Sequence, residues 1–193
     1  KVNWMVPRVT TPYTAILDCD HQAHPGWIRS SLAILAEQGA RFVQGRRGPL
    51  TAEGLFPLWD SLHQHIGCEL FNVAFGRLGL TVFFTGTTVV VDTDLLRAHP
   101  LRPCITEDID LSYTLAMGGE RIVANPYHGS DEELSPDLFS FLARRRRWAN
   151  GHTAAFIGHL RRLPGAPLRW RDKLQFLFHG THYLVCVAVF VLH

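Results

Sequence analysis

Two aspartates one residue apart, Asp18-Cys19-Asp20, close a short apolar run from Tyr13 to Leu17. Residues two apart at a strand end fall on the same side of a sheet. Two carboxylates there suit a hard divalent cation that also takes diphosphate oxygens. Ligands of open α/β sheets gather beyond the carboxyl ends of the strands, where this pair lies. A second acidic cluster, Thr106-Glu107-Asp108, opens a helical pattern. Thr106 suits an N-cap, and the helix dipole favours acids in the first turn. The same carboxylates could take a proton from a hydroxyl, a poor nucleophile until a positioned base removes it. Glu107, Asp108 and Asp110 are all candidates for that base. A third element, Arg144-Arg145-Arg146-Arg147-Trp148, combines forked guanidinium donors, which hold diphosphate oxygens, with a flat indole face for a ring. Between them, Thr85-Gly86-Thr87 places a glycine where backbone could approach a ligand closely or a strand could bulge.

The elements that must position these residues alternate. Tyr13–Leu17 reads as a buried strand. Pro25 then opens a helix with Ile28, Leu32, Leu35 and Ala36 on one face and Gly39 as its stop, and Arg41–Gln44 is the next strand. A long helical segment from about Ala52 to Phe75 follows the Gly and Pro breakers of 45–51. Val82–Asp92 is β-branched and aromatic, and is read as two short strands or one bent at Gly86. Glu107–Met117 is a helix, Arg121–Ala124 a last strand. This order predicts an α/β fold with a mostly parallel sheet and helices on both faces. From Ser135, a plausible N-cap before Pro136, the pattern is helical, broken at Asn150-Gly151. It resumes as an amphipathic interface helix over Thr153–Leu163. Leu174–Leu192 is 19 residues long, close to the roughly 20 that span a bilayer. His179 and His182 within it would then face a protein interior or a pore.

In 193 residues the chain can bury one sizeable core. A formal charge of +2 is too small to point to nucleic acid. Its distribution says more: between Arg144 and Lys173, Asp172 is the only acid, an asymmetry suited to an anionic membrane face or a diphosphate. Cys19, Cys68, Cys104 and Cys186 lack the spacing of a disulfide framework or a zinc knuckle. His63, His65 and Cys68 offer no fourth ligand, and only His65 and Cys68 share a helix face. Lys1–Pro12 has no apolar core of a signal peptide.

In order and spacing these motifs resemble family 2 glycosyltransferases of the cellulose synthase and hyaluronan synthase type. The resemblance implies a GT-A (Rossmann-like) core over residues 1–134 without its first strands. Residues 135–173 would hold the Arg/Trp motif and interface helices, and 174–193 a truncated transmembrane helix. It also implies a nucleotide-sugar donor, a UDP-sugar above others, with Mg²⁺ or Mn²⁺ held by Asp20 and with Asp18 on the nucleotide. Asp108 would be the base. Thr85, Gly86, Thr87 and Glu107 would line the acceptor end, with Arg147 and Trp148 gripping diphosphate and sugar. Arg144 stands where the family has glutamine, Arg145 and Arg146 read as a basic helix face at the membrane, and His21 reads as a surface histidine. Val43-Gln44 matches the V-Q that ends the next strand in such enzymes, and Lys1 stands as the remnant of a nucleotide-proximal K-x-x-N, with Asn3 one position early. The expected acceptor is a growing β-linked polysaccharide or, in a single-addition enzyme, a lipid or short glycan. The expected setting is the inner or plasma membrane, catalytic domain toward the cytoplasm, beside membrane lipids and accessory export subunits.

Overall fold

The structure, a computed structural model, describes residues 1–192, with the side chains of Cys68 and of 186–192 outside that description. Its sheet has strands β1 (Tyr13–Ile16), β2 (His21–Ala23), β3 (Phe42–Pro49), β4 (Val89–Asp92) and β5 (Ile122–Glu132), in the order β1-β4-β3-β5-β2. The sheet is mixed, where a mostly parallel one was expected. Among the described residues β3–β5 is the single parallel pair, and β4 runs against both its neighbours, β1 and β3. The reason lies in the connections. After β3 the chain leaves through helices and re-enters from the end at which β3 left, so β4 must run the other way. β2 lies at the opposite edge from β1, antiparallel to the end of β5.

Strand alternation fills both faces. Phe42, Val89, Val91 and Ile122 point to one side, where they meet Leu95, Leu96, Leu111 and Leu115. Val43, Val90 and Val123 point to the other, against Trp27, Ile34 and Leu35. Each such side chain contributes roughly 1.5–3 kcal/mol by leaving water. Helix α2 (Trp27–Gln38) covers the second face, but buries Trp27, Ser31, Ile34 and Leu35 and leaves Ile28 exposed. Its buried stripe is rotated from the expected one because Trp27, the first helical residue, anchors it.

α1 (Val2–Met5) precedes β1. The long helix expected to start near Ala52 begins at Leu55, as α3 (Leu55–Gln64), widens into a π-helical segment (His65–Phe71) and ends as α4 (Asn72–Arg77). α5 (Thr93–Ala98) and α6 (Glu107–Met117) cover the first face of the sheet. The outer side of α6 packs through Ile109, Tyr113 and Ala116 onto α7 (Leu138–Leu160) and α8 (Trp170–Leu192). α7 is capped by Asp137, whose carboxylate accepts from Ser140 N–H at 2.9 Å, and not by Ser135. It also runs unbroken through Asn150-Gly151, because Gly151 is a contact glycine: a Cβ there would strike Thr106. Gly180 plays the same part where α8 crosses Phe156 of α7. Among the described residues no helix is long and apolar enough to cross a membrane, so the transmembrane expectation for Leu174–Leu192 is not met there. The side chains of 186–192, its apolar last turns, lie outside the described residues.

Candidate active site

Buried polar side chains build the site by fixing a stretch without regular structure. Residues 82–88, expected as strand, form none, and β4 starts only at Val89. Backbone groups buried outside a ladder need other partners, and side chains supply them. Asn72, turned inward after the π-helical segment, donates to the Phe83 carbonyl (3.2 Å) and accepts from its N–H (3.1 Å). Gln44 of β3 accepts from Thr85 N–H (3.0 Å) and donates to the Thr87 carbonyl (3.1 Å). Ser112 of α6 accepts from Phe84 N–H (2.8 Å) and donates to the Asp108 carbonyl (2.9 Å). Arg47 donates to the Thr85 carbonyl (2.9 Å). The chain can therefore bend sharply, with φ of +88° at Gly86 and +59° at Thr88.

That bend joins two acidic groups. The Thr87 hydroxyl accepts from the backbone N–H of Asp18 (2.8 Å). One residue earlier, a Cβ added at Gly86 would lie 3.2 Å from Asp108 Oδ2, so the missing side chain leaves space directly over that carboxylate. Asp108 is half-buried, and loss of solvation pushes its pKa up to about 6, aided by Glu107 and opposed by the Ile109 N–H that it accepts at 2.8 Å. A carboxylate so placed can hold or take a proton near neutral pH.

Asp18 and Asp20 lie in the turn after β1, beyond the strand, and together with His21 offer ligand atoms within 4.8 Å of one another. Two carboxylates suit Mg²⁺ and Mn²⁺ alike, and an imidazole nitrogen tips the set toward Mn²⁺, so these residues fit a divalent cation. His21 is not a surface histidine: its side chain is 2% exposed. Nδ1 lies 2.7 Å from Ser130 Oγ, which itself meets Thr88 Oγ1 at 2.6 Å. Nε2 lies 3.8 Å from Glu132, which Arg47 grips through Nε (2.9 Å) and Nη2. Burial lowers the His21 pKa, while desolvation in the turn raises that of Asp18, with Asp20 and Glu132 pushing the same way. Ser130 and Glu132 reach this place through a bulge in β5, where the register against β3 jumps from Gly45–Asn125 to Arg46–Gly129. Any side chain at Gly129 would overlap the Arg46 backbone.

α7 brings the Arg/Trp motif alongside. The contact of Gly151 with Thr106 sets α7 against the start of α6, and Trp148, one turn earlier, shares that side of the helix. Arg147 is exposed, and Trp148 is half-buried with the Arg145 guanidinium 4.7 Å above its ring. Arg145 is no free membrane-facing charge, since it pairs with the fully buried Asp60. Arg144 contacts the same Asp60 (3.4 Å) and Glu132 (3.6 Å). Burial works to raise the Asp60 pKa, but Ser135 N–H and the two arginines outweigh it and hold the carboxyl low.

The other acidic candidates separate clearly. Asp110 is committed to structure: Arg102 binds it through Nε (2.6 Å) and Nη2, and His159 Nε2 lies 2.9 Å away. These partners outweigh burial and lower its pKa. Glu107 is half-buried beside Asp108. Thr106 occupies the N-cap position of α6 without a capping hydrogen bond, its side chain being turned against Gly151. Lys1 is the N-cap residue of α1, and no hydrogen bond or ion pair among the described residues joins it to the site. Asn3, two residues on, binds the Leu101 backbone in both directions (2.7 and 3.0 Å). His63 stacks on Trp59. Sequence reasoning missed Arg47, Asp60, Asn72 and Ser130, whose roles come from pairings across 11 to 85 residues. The one local signal, buried-strand charge in Arg46-Arg47, precedes Gly-Pro and reads as loop.

A curled mixed sheet with helices on both faces and an acidic turn after its edge strand defines a GT-A-like α/β fold. The chain belongs to the family described as Glycosyl transferase family group 2, which matches residues 13–193. Among solved structures it is similar to a mannosyltransferase, PcManGT from Pyrobaculum calidifontis, in complex with GDP-Man and Mn²⁺. The TM-score is 0.64 and the identity 19%, with 97% of this chain and 53% of that one covered. It is also similar to S. aureus TarS 1-349 in complex with UDP-GlcNAc, with TM-score 0.59 and 12% identity over 94% of this chain and 51% of that one. The chain thus spans about half the length of these proteins. No curated protein matches it.

Proposed function

We propose that the chain is the catalytic part of a membrane-associated, inverting glycosyltransferase that moves a sugar from a nucleotide-sugar, a UDP-sugar above others, to an acceptor hydroxyl. The observation that carries this reading is the Gly86-Thr87 bend: Gly86 leaves space over the half-buried Asp108 carboxylate, and Thr87 holds the backbone of the Asp18–Asp20–His21 turn. A donor whose diphosphate rests at the acidic turn then presents its anomeric carbon toward Asp108.

Asp108 takes the proton of the acceptor hydroxyl as that oxygen bonds to the anomeric carbon, and the bond to the diphosphate breaks on the opposite face. A divalent cation, when bound by Asp20 with Asp18 and His21, supplies charge that stabilises the departing diphosphate. Gly86 leaves room for the acceptor over Oδ2. Thr85, Thr87 and Glu107 border that space, Trp148 offers its ring to the sugar, and Arg147 is placed for diphosphate oxygens. Holding both reactants in line supplies much of the rate advantage. The setting is the inner or plasma membrane, with the basic segment 144–173 on the cytoplasmic side, and a cellulose synthase-like polysaccharide route with export partners is the fuller form of this proposal. Arg144, tied to Asp60 and Glu132 where the resemblance has glutamine, favours a second form that adds one sugar to a lipid or short glycan. Product length separates the two.

The test is nucleotide release from UDP-, GDP- and dTDP-sugars by the full-length protein in detergent, with and without Mg²⁺ or Mn²⁺. Metal-dependent turnover of one donor, lost in Asp20→Ala, is expected. Turnover unaffected by chelator and by Asp20→Ala would overturn the assignment of the turn.

A further inference from the structure

We infer that the outer face of α3 and of the π-helical segment is a second membrane-contacting surface, bedded in the same bilayer face as α8. This deepens, and rests on, the membrane-associated reading above. Leu55, Leu58, Trp59, Leu62, Ile66 and Leu70 recur at steps of three and four residues, with Leu58 and Trp59 side by side, which sets them along one stripe. The stripe faces outward: Leu55 is 70% exposed, Trp59 53%, Leu62 54% and Leu70 58%. The buried positions of α3 are polar instead, Asp60 and Gln64. A helix on the water-facing surface of a domain carries the reverse pattern. Single exposed apolar residues are ordinary, but a contiguous stripe marks a contact surface.

Continuity and charge select the bilayer as its occupant. At one end the stripe meets α8, where Phe71 stands edge-on to Phe178 with ring centroids 6.1 Å apart. Leu174, Leu177 and Phe178 of α8 are themselves exposed. Gln175 donates to the Thr81 carbonyl (2.6 Å) while Phe178 reaches Phe71, so successive turns of α8 pass from beyond α4 toward the π-helical segment. At the other end, His63 stacks on Trp59 (6.1 Å) and meets Phe141 of α7 edge-on (6.0 Å). There α7 exposes Phe139 and Leu142 together with Arg146. Apolar and aromatic side chains bordered by an exposed arginine are the chemistry of a surface lying among anionic lipid headgroups.

The test is quenching of tryptophan fluorescence by brominated acyl chains in vesicles of phosphatidylcholine and phosphatidylglycerol, using the full chain. Trp59→Phe reports on α3 and Trp170→Phe on the start of α8. The expected result is that Trp59→Phe removes a distinct share of the quenching. The exposed pair Leu58→Glu and Leu62→Glu should weaken vesicle partitioning about tenfold. Quenching unchanged in Trp59→Phe but reduced in Trp170→Phe overturns the α3 surface and leaves the membrane reading standing. Absence of vesicle binding by the full chain overturns both. A blue shift of Trp59 emission that grows with protein concentration without lipid assigns the stripe to a second copy of the chain, and equally overturns the inference.

Discussion

The turn after β1 and the first turn of α6 hold the same chemistry in opposite surroundings. Asp18 and Asp20 are exposed and converge with His21, each offering a ligand atom within 4.8 Å of the others. Asp108 is half-buried and largely stripped of solvation, while Asp110, two residues on, is gripped by Arg102 and His159. An open, converging pair of carboxylates attracts an ion from solution, whereas a desolvated single one attracts a proton. Composition does not distinguish these outcomes; what the carboxylates face does.

The sharpest way to break the comparison is at the open cluster. Chelation of divalent cations, or Asp20→Ala, should reduce transfer below detection in a nucleotide-release assay, with Mn²⁺ restoring the chelated wild type but not the variant. If His21 belongs to the same set, His21→Ala should raise the Mn²⁺ concentration needed for half-maximal rate by about 10–100-fold.

At the desolvated site, Asp108→Asn should lower the rate by about 10²–10⁴-fold, the usual range for a positioned base. In the wild type the rate should fall as pH drops through about 6, where Asp108 becomes protonated. Stability should move the other way. A carboxyl whose folded pKa lies above its unfolded one loses stability as pH rises from about 4 toward 6, because the unfolded chain ionises first. Asp108→Asn removes that loss, so the variant should unfold at higher denaturant near pH 7, by up to about 3 kcal/mol, and converge with wild type below about pH 4. A variant that is inactive and also less stable would contradict the desolvated-base assignment.

Asp110→Ala should do nearly the reverse: little change in rate per folded molecule, but a stability loss of about 2 kcal/mol. This is less than for a fully buried pair, because Arg102 is half exposed and can rehydrate. Since the Asp110 pKa is lowered in the fold, its contribution is present above the ordinary carboxylate pKa and is lost only as pH falls below it.

Sequence alone made the local parts of this comparison legible. The spacing of Asp18 and Asp20, the acid-rich start of α6 from Glu107, and the β-branched run Val89–Val91 are short-range signals, and the structure has the expected elements at those places. Long-range pairing was not legible. Nothing near Gln44 or Asn72 announces that each clamps a segment many residues away, so 82–88 read as strand from its β-branched content. Gly151 looked like a helix breaker because its Thr106 partner lies 45 positions earlier. Asp110 and Asp108 were indistinguishable until His159 and Arg102 were placed beside one of them.

The smallest expected effect tests the link between the two clusters. Gly86 has φ +88°, a conformation that costs an alanine about 1–2 kcal/mol, and its added Cβ would stand 3.2 Å from Asp108 Oδ2. Gly86→Ala should therefore lower stability by about 1–2 kcal/mol. It should also reduce the rate with a bulky acceptor about tenfold, while leaving the Mn²⁺ requirement unchanged. The split matters because Thr87, the next residue, holds the Asp18 N–H. If the bend only supports the acidic turn, Gly86→Ala shifts the metal requirement and spares acceptor dependence. If the bend leaves room for the acceptor over Asp108, the acceptor KM rises and the metal titration stays where it was.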